Sequence, residues 1–247
     1  MKIAVFLGPT LPAAEARAAL DDVDVLPPAK QGDLYRAAKD GAAIIGLVDG
    51  YFDQVNSVAH KEVLWAMSHG VHVLGAASMG ALRAVELAAF GMEGVGAVFA
   101  QFARGALVDD DEVAVLHAPA EEGYRRASEA MVDIRATLAA ARAAGVIGED
   151  THARLVRAAK GLFYPDRAYP LVLARAEADG TAQSELHALR AFLPGGRVEQ
   201  KRLDALALLD RLRALRDAAP GPKVVRFTFA HTDAWEAIRR RADDPGS

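Results

Sequence analysis

Apolar and polar positions in the first half of the chain alternate between two textures. Short, nearly unbroken apolar runs occupy residues 2–7, 23–26, 42–48 and the stretch opening at Val71-His72-Val73-Leu74. Between them lie segments with apolar residues at helical spacing: Pro12 to Leu20, Gln31 to Lys39, and Val58 to Ser68 with Ser57 as its N-cap. Unbroken runs rich in β-branched residues predict strands buried on both faces. Strands alternating with helices predict a parallel sheet covered on both sides. Gly8-Pro9-Thr10, Pro27-Pro28-Ala29-Lys30 and Asp49-Gly50-Tyr51 then follow strands and meet at the sheet's carboxyl edge, where ligands of such sheets gather.

The texture changes further along. Glycines punctuate residues 90–106, and Asp109-Asp110-Asp111-Glu112 forms an acidic run. That run lacks the spacing of a calcium loop and reads as solvated. Val113 to His117 predicts one more strand. Helical patterns then fill 122–144, 150–160, 184–192 and 199–217, the last with Leu203, Leu206, Leu209, Leu212 and Leu215 as a stripe. After Pro220-Gly221-Pro222, Lys223 to Phe229 alternates as a strand does, a polar helix surrounds Trp235, and the tail past Arg241 reads as frayed. The expected fold is α/β: a mainly parallel sheet with flanking helices over residues 1–120, then a largely helical portion over 121–247 with one late strand.

Composition narrows the partners. No apolar run reaches transmembrane length, and the apolar block at the N-terminus is too short for a secretory signal. There is no cysteine, so no disulfide, thiolate metal site or Cys nucleophile exists. These features predict a cytoplasmic protein with no membrane partner. Residues 1–120 carry eight Lys/Arg against fifteen Asp/Glu, a charge of −7; the formal −4 of the whole leaves +3 for the remainder. An acidic first half argues against nucleic acid as its partner.

Candidate chemistry centres on Gly75-Ala76-Ala77-Ser78-Met79-Gly80. A strand turning into a helix through tiny residues, with Ser78 at the corner, has the layout of a nucleophile elbow, with the N–H groups of Met79 and Gly80 as an oxyanion site. Gly80 fits the elbow pattern and Ala76 does not; Ser78 as a plain helix cap is the competing reading. For a base, His60 and His117 stay possible. Lys61, in the first turn of the helix preceding this strand, lies level with Ser78; Lys30 reaches the same rim, and either is equally a surface lysine. Asp49 either orients Lys61 or a substrate, or starts an Asp-Gly turn. Arg83 and Glu86 sit one turn apart and pair or serve a substrate. Tyr51 and Phe52 suit a gripping loop. No metal-ligand spacing such as H-E-x-x-H occurs.

Lys30-Gln31-Gly32-Asp33, Val48-Asp49-Gly50-Tyr51-Phe52, His60-Lys61-Glu62, the segment from Gly75 to Leu87 and Asp110-Asp111-Glu112-Val113-Ala114 together resemble the TfuA-like family. The resemblance lies within residues 1–120, and the helical remainder carries no usable signature. It implies a hydrolase that releases sulfide from the C-terminal thiocarboxylate of a ThiS-like ubiquitin-fold carrier. The sulfide serves a YcaO enzyme in peptide backbone thioamidation. The family's catalytic Ser falls on Ser78 and its Lys on Lys61, with Lys30 as the alternative; no cofactor is implied. Gly8, Thr10, Asp49, Tyr51, His60, Arg83 and Glu86 are the expected substrate-binding or orienting residues. Small residues at Gly8, Gly75 and Ala76 suggest a slot for a Gly-Gly tail. The rival expectation is a non-catalytic docking partner of YcaO.

Overall fold

A computed structural model describes residues 1–51 and 55–244. Phe52, and with it the second aromatic of the expected gripping loop, lies outside the described residues. Contacts divide the chain into two compact units, Met1–Val108 with Arg202–Ser247, and Asp109–Lys201. Residues after 201 therefore return to the sheet unit and do not stay with the helices that precede them.

The first unit alternates β1 (Ile3–Phe6), α1 (Ala13–Ala19), β2 (Val23–Leu26), α2 (Asp33–Lys39), β3 (Ile44–Leu47), α3 (His60–Ser68), β4 (His72–Ala76), α4 (Met79–Leu87), β5 (Glu93–Val95) and α5 (Gly96–Ala103). All five strands are parallel, in the order β2-β1-β3-β4-β5. β1 and β3 are buried along their full length, as their unbroken apolar runs require. In this strand order the connections leave β1 and β3 in opposite directions, so the crevice beyond their carboxyl ends is the ligand position of doubly wound sheets.

The sheet separates two apolar layers. On one side Phe6, Ile45, Leu47 and Val73 pack with Leu34 of α2, Val63 and Met67 of α3, and Met79, Ala84 and Leu87 of α4. On the other, Ile3, Val5, Ile44 and Leu74 pack with Leu11, Ala16 and Leu20 around α1 and with a late helix, residues Gln200–Ala218. That helix presents Ala205, Leu208, Leu209, Leu212 and Leu215 to the sheet, so the leucine stripe is core. Its buried row contains Leu208; Leu203 is exposed.

The second unit holds α6 (Met131–Ala143), α7 (Glu149–Lys160), α8 (Tyr169–Ala178) and α9 (Gln183–Gly196) around Ile134, Leu138, Leu155, Val172, Leu186 and Leu189. The chain then continues through α10, the Gln200–Ala218 helix, to α11 (Asp233–Asp243).

Several expectations are corrected. Residues 113–117 form no strand; a 3₁₀ turn at Asp110–Glu112 precedes them, and His117 makes one isolated antiparallel bridge with Arg126. The late strand is also absent. Residues 219–232 have neither helix nor strand, although Val225 and Phe227 pack onto the core and explain the alternation. The helix preceding β4 starts at His60, with Ala59 as N-cap; the Glu62 carboxylate accepts the Ala59 N–H at 3.0 Å, so Ser57 is not the cap. Just past Arg241 the chain is held, with Ala242 buried and Asp243 accepting from Lys39 at 2.5 Å; the end of the expected frayed tail, residues 245–247, lies outside the described residues. Among the described residues no helix is long and apolar enough to cross a membrane.

Candidate functional site

The corner between β4 and α4 is tight and strained. Ala77 has φ 64°, a left-handed backbone that a residue with a Cβ rarely adopts. Across it the Ser78 N–H donates to the Ala76 carbonyl at 2.8 Å. The result is a γ-turn with its central residue at positive φ, the less common and more strained form. Such a conformation costs on the order of 1–3 kcal/mol and persists where its surroundings enforce it. Here they are two glycines. A Cβ on Gly75 would sit 2.1 Å from the Gly80 carbonyl oxygen, and one on Gly80 would sit 1.7 Å from the Leu47 carbonyl oxygen. Only bare backbone lets α4 approach β3 and β4 so closely.

Ser78 occupies the N-cap position of α4, with φ −118° and ψ −126°, and is 5% exposed. Its side chain makes no capping hydrogen bond. The cap reading therefore fails, because a capping serine accepts from the N–H of the second or third helical residue. At the mouth of the helix, the Gly80 N–H donates to the Val48 carbonyl at 3.1 Å. Gly80 is thus removed as an oxyanion donor. The Met79 N–H has no acceptor among the described residues and stays available.

Asp49, 2% exposed, closes the crevice between β1 and β3. Its carboxylate accepts from the Gly8 N–H at 2.8 Å, the Thr10 N–H at 3.0 Å and the Thr10 hydroxyl at 2.6 Å. It orients the turn after β1 and neither Lys61 nor a lysine of any kind. Gly8 lines no open slot either, since a Cβ there would lie 2.3 Å from Pro28. Next to Asp49, Gly50 pairs with Ala29, and the Tyr51 N–H donates to the Ala29 carbonyl at 3.0 Å, joining the loops after β2 and β3.

Among the described residues, none of Lys61, Lys30 and His60 hydrogen-bonds the Ser78 hydroxyl. Lys61 donates from Nζ to the Ala230 carbonyl at 2.7 Å and lies 4.9 Å from the centroid of the Phe229 ring. Lys30 is exposed on its loop; its N–H donates to Asp33 at 2.9 Å and no hydrogen bond joins its amine to Ser78. His60, Arg83 and Glu86 come together instead. Glu86 meets His60 Nε2 at 2.8 Å and accepts from Arg83 at 2.7 Å. Arg83 also donates to the Val58 carbonyl at 2.9 Å and to the Ser57 hydroxyl at 3.2 Å. This cluster clamps the middle of α4 to the entry of α3, and so braces the helix that begins at Ser78.

Two features are visible in the sequence only as members of longer motifs, without their geometry. Glu62 is fully buried and accepts N–H groups of Gly32 at 2.8 Å and Ala59 at 3.0 Å; burial pushes its carboxyl up, against the pull of these donors. The strained turn at Ala77 is the other, visible in the sequence only as a run of small residues.

In the second unit, the acidic run is neutralised from within. Lys160 bridges Asp109 at 3.0 Å, Asp111, and Glu112 at 3.2 Å, and Arg135 grips Glu112 with two bonds of 2.9 and 2.8 Å. The cluster is an ion-pair network. A polar cavity of about 230 Å³ lies elsewhere in this unit, lined by Arg126, Asp133, Thr137, Tyr169, Arg197 and Glu199 among others. Burial pushes the Asp133 carboxyl up to about 6, although Lys201 N–H and Arg126 bond it at 2.9 and 3.3 Å.

Residues 49–168 match the family described as TfuA-like protein. The match starts later than the expected resemblance and runs past residue 120, into the helical unit. No curated protein sequence matches the chain.

Proposed function

The chain belongs to the TfuA-like family through residues 49–168, and on that premise we propose that it is a hydrolase using Ser78 to release sulfide from the C-terminal thiocarboxylate of a ThiS-like carrier, for use by a YcaO enzyme in thioamidation. The observation that carries this reading is the strained corner at Ala77, which holds a serine whose hydroxyl is not spent on capping. Strain of this kind persists at sites where a reactive group must be presented.

The steps follow from the residues. Ser78 Oγ attacks the thiocarboxylate carbon while the neutral amine of Lys61, once it has left Ala230, takes the hydroxyl proton. The Met79 N–H faces the oxygen that gains charge; removing such a donor typically costs about 10²–10³ in rate. The C–S bond breaks, sulfur takes the lysine's proton, and hydrosulfide departs. Water then attacks the Ser78 ester as Lys61 takes one of its protons; the serine oxygen leaves with that proton, and the carrier acid gives its own proton to solvent and departs as a carboxylate. No third member orients the amine, which suits a leaving group as good as hydrosulfide.

One observation favours the rival, a docking partner of YcaO without chemistry of its own: the Lys61 amine is bonded to Ala230 and not to Ser78. Thioamidation assays separate the two. With thiocarboxylated carrier as the sulfur source, Ser78→Ala is expected to stop product formation; with added inorganic sulfide it is expected to leave product formation intact. Equal loss in both assays, or loss in neither, overturns the hydrolase reading.

A further inference from the structure

The segment between α10 and α11, residues 219–232, crosses the sheet unit as a strap with firm ends. The Lys223 N–H donates to the Gly70 carbonyl at 2.8 Å, and Val225 and Phe227 pack into the apolar layer of α2, α3 and α4. Beyond it, Thr232 accepts the Trp235 N–H at 3.3 Å to start α11, and Trp235 is fully buried against Tyr35 and Trp65 at centroid distances of 5.5 and 5.9 Å. Between these anchors, Phe229 and Ala230 reach Lys61. The amine donates to the Ala230 carbonyl at 2.7 Å and sits 4.9 Å from the Phe229 ring centroid.

We propose that this strap is an autoinhibitory latch on Lys61, an inference that rests on the Ser78–Lys61 reading above. Both contacts are ones an ammonium group makes, through its N–H groups and its charge over a ring face. The amine must leave both the Ala230 carbonyl and the Phe229 ring before it can take the Ser78 proton. Ala230 and His231 are exposed, whereas Phe227 and Trp235 are packed on either side. Phe229 is half-buried with its ring 5.3 Å from that of Trp235, so Ala230 and His231 can swing away from Lys61 while Phe229 stays on the Trp235 anchor. The two states differ by few contacts, and whatever binds the released form better opens the latch.

The latch is tested in the full-length chain with Phe229→Leu, which removes the ring face but keeps apolar bulk beside Trp235, and with Phe229→Ala as a second variant. Lys61 and Lys30 are labelled by acetic anhydride in one tube and quantified by peptide mass spectrometry, Lys30 being the internal standard. A cation–π contact at a solvated site holds a group by roughly two- to fivefold. Labelling of Lys61 relative to Lys30 is expected to rise by that factor in Phe229→Leu, with an equal rise in sulfide release from thiocarboxylated carrier. Unchanged labelling in both variants overturns the latch, whatever the activity. So does raised labelling with unchanged sulfide release, provided that Ser78→Ala abolishes release. If Ser78→Ala releases sulfide at the wild-type rate, the hydrolase reading fails and the gating role fails with it. Labelling still reports separately whether the strap holds the amine.

Discussion

Replacing Asp49 is the most direct perturbation of the crevice. In Asp49→Ala the Gly8 N–H, the Thr10 N–H and the Thr10 hydroxyl lose acceptors at 2.8, 3.0 and 2.6 Å. Each buried polar group left unpaired costs about 1–3 kcal/mol. The Thr10 hydroxyl can rotate toward another acceptor, whereas the two N–H groups are fixed by the backbone. With two N–H groups left unpaired, Asp49→Ala is thus expected to cost about 2–6 kcal/mol, a large share of a typical stability of 5–15 kcal/mol. Thr10→Val removes one partner and leaves the carboxylate with two donors, so it is expected to cost about 1–2 kcal/mol. Urea denaturation followed by circular dichroism at pH 7 measures both, with the slope against urea checked for constancy. A loss below about 1 kcal/mol for Asp49→Ala would refute the reasoning, because it would mean that the turn after β1 finds other acceptors at no cost.

Three further expectations follow from the same structure. Ala77→Gly removes a strain of about 1–3 kcal/mol and adds a glycine penalty of about 0.5–1 kcal/mol, so its stability by thermal melt is expected to equal or exceed the wild type's; a loss of about 0.5 kcal/mol or more would show the turn to be relaxed. Gly80→Ala drives a methyl group into the Leu47 carbonyl, and is expected to lower stability by more than about 3 kcal/mol, or to prevent soluble expression; a neutral substitution would contradict the close approach of α4 to β3. Asp133, pushed from 3.8 up to about 6 by burial, binds its proton more tightly folded than unfolded, so its contribution rises as pH falls through 6 toward 4 and is lost above 6. The wild type is expected to gain up to roughly 3 kcal/mol on Asp133→Asn across that window, measured by urea titrations at several pH values, and a flat difference would refute the shift.

Legibility in the sequence followed burial. Strands β1 and β3 are apolar without interruption because helices cover both faces, and the pattern states this directly, whereas edge strand β2 carries an exposed Asp24. Glu93-Gly94-Val95 forms β5 with three half-buried residues at the sheet edge and so leaves no apolar run to read. The reverse error arose at Lys223 to Phe229. Alternation there reports one face pressed on the core, and burial of a face does not require a strand partner. A spacing of three places Leu203 in the leucine row of α10, whereas the helix's pitch buries Leu208 and leaves Leu203 exposed. At the site, the corner serine was legible from tiny residues flanking it. The partner of Lys61 was not: its acceptor is a main-chain carbonyl 169 residues away, and every residue type has one.

The central claim is that Ser78 carries out chemistry, and sulfide release from thiocarboxylated carrier, measured with this chain alone and no YcaO enzyme present, tests it most directly. The account predicts release by the wild type and, for Ser78→Ala in a chain with an unchanged melting profile, a fall of about 10³-fold or more, as loss of a nucleophile produces. Release by Ser78→Ala at the wild-type rate would contradict it.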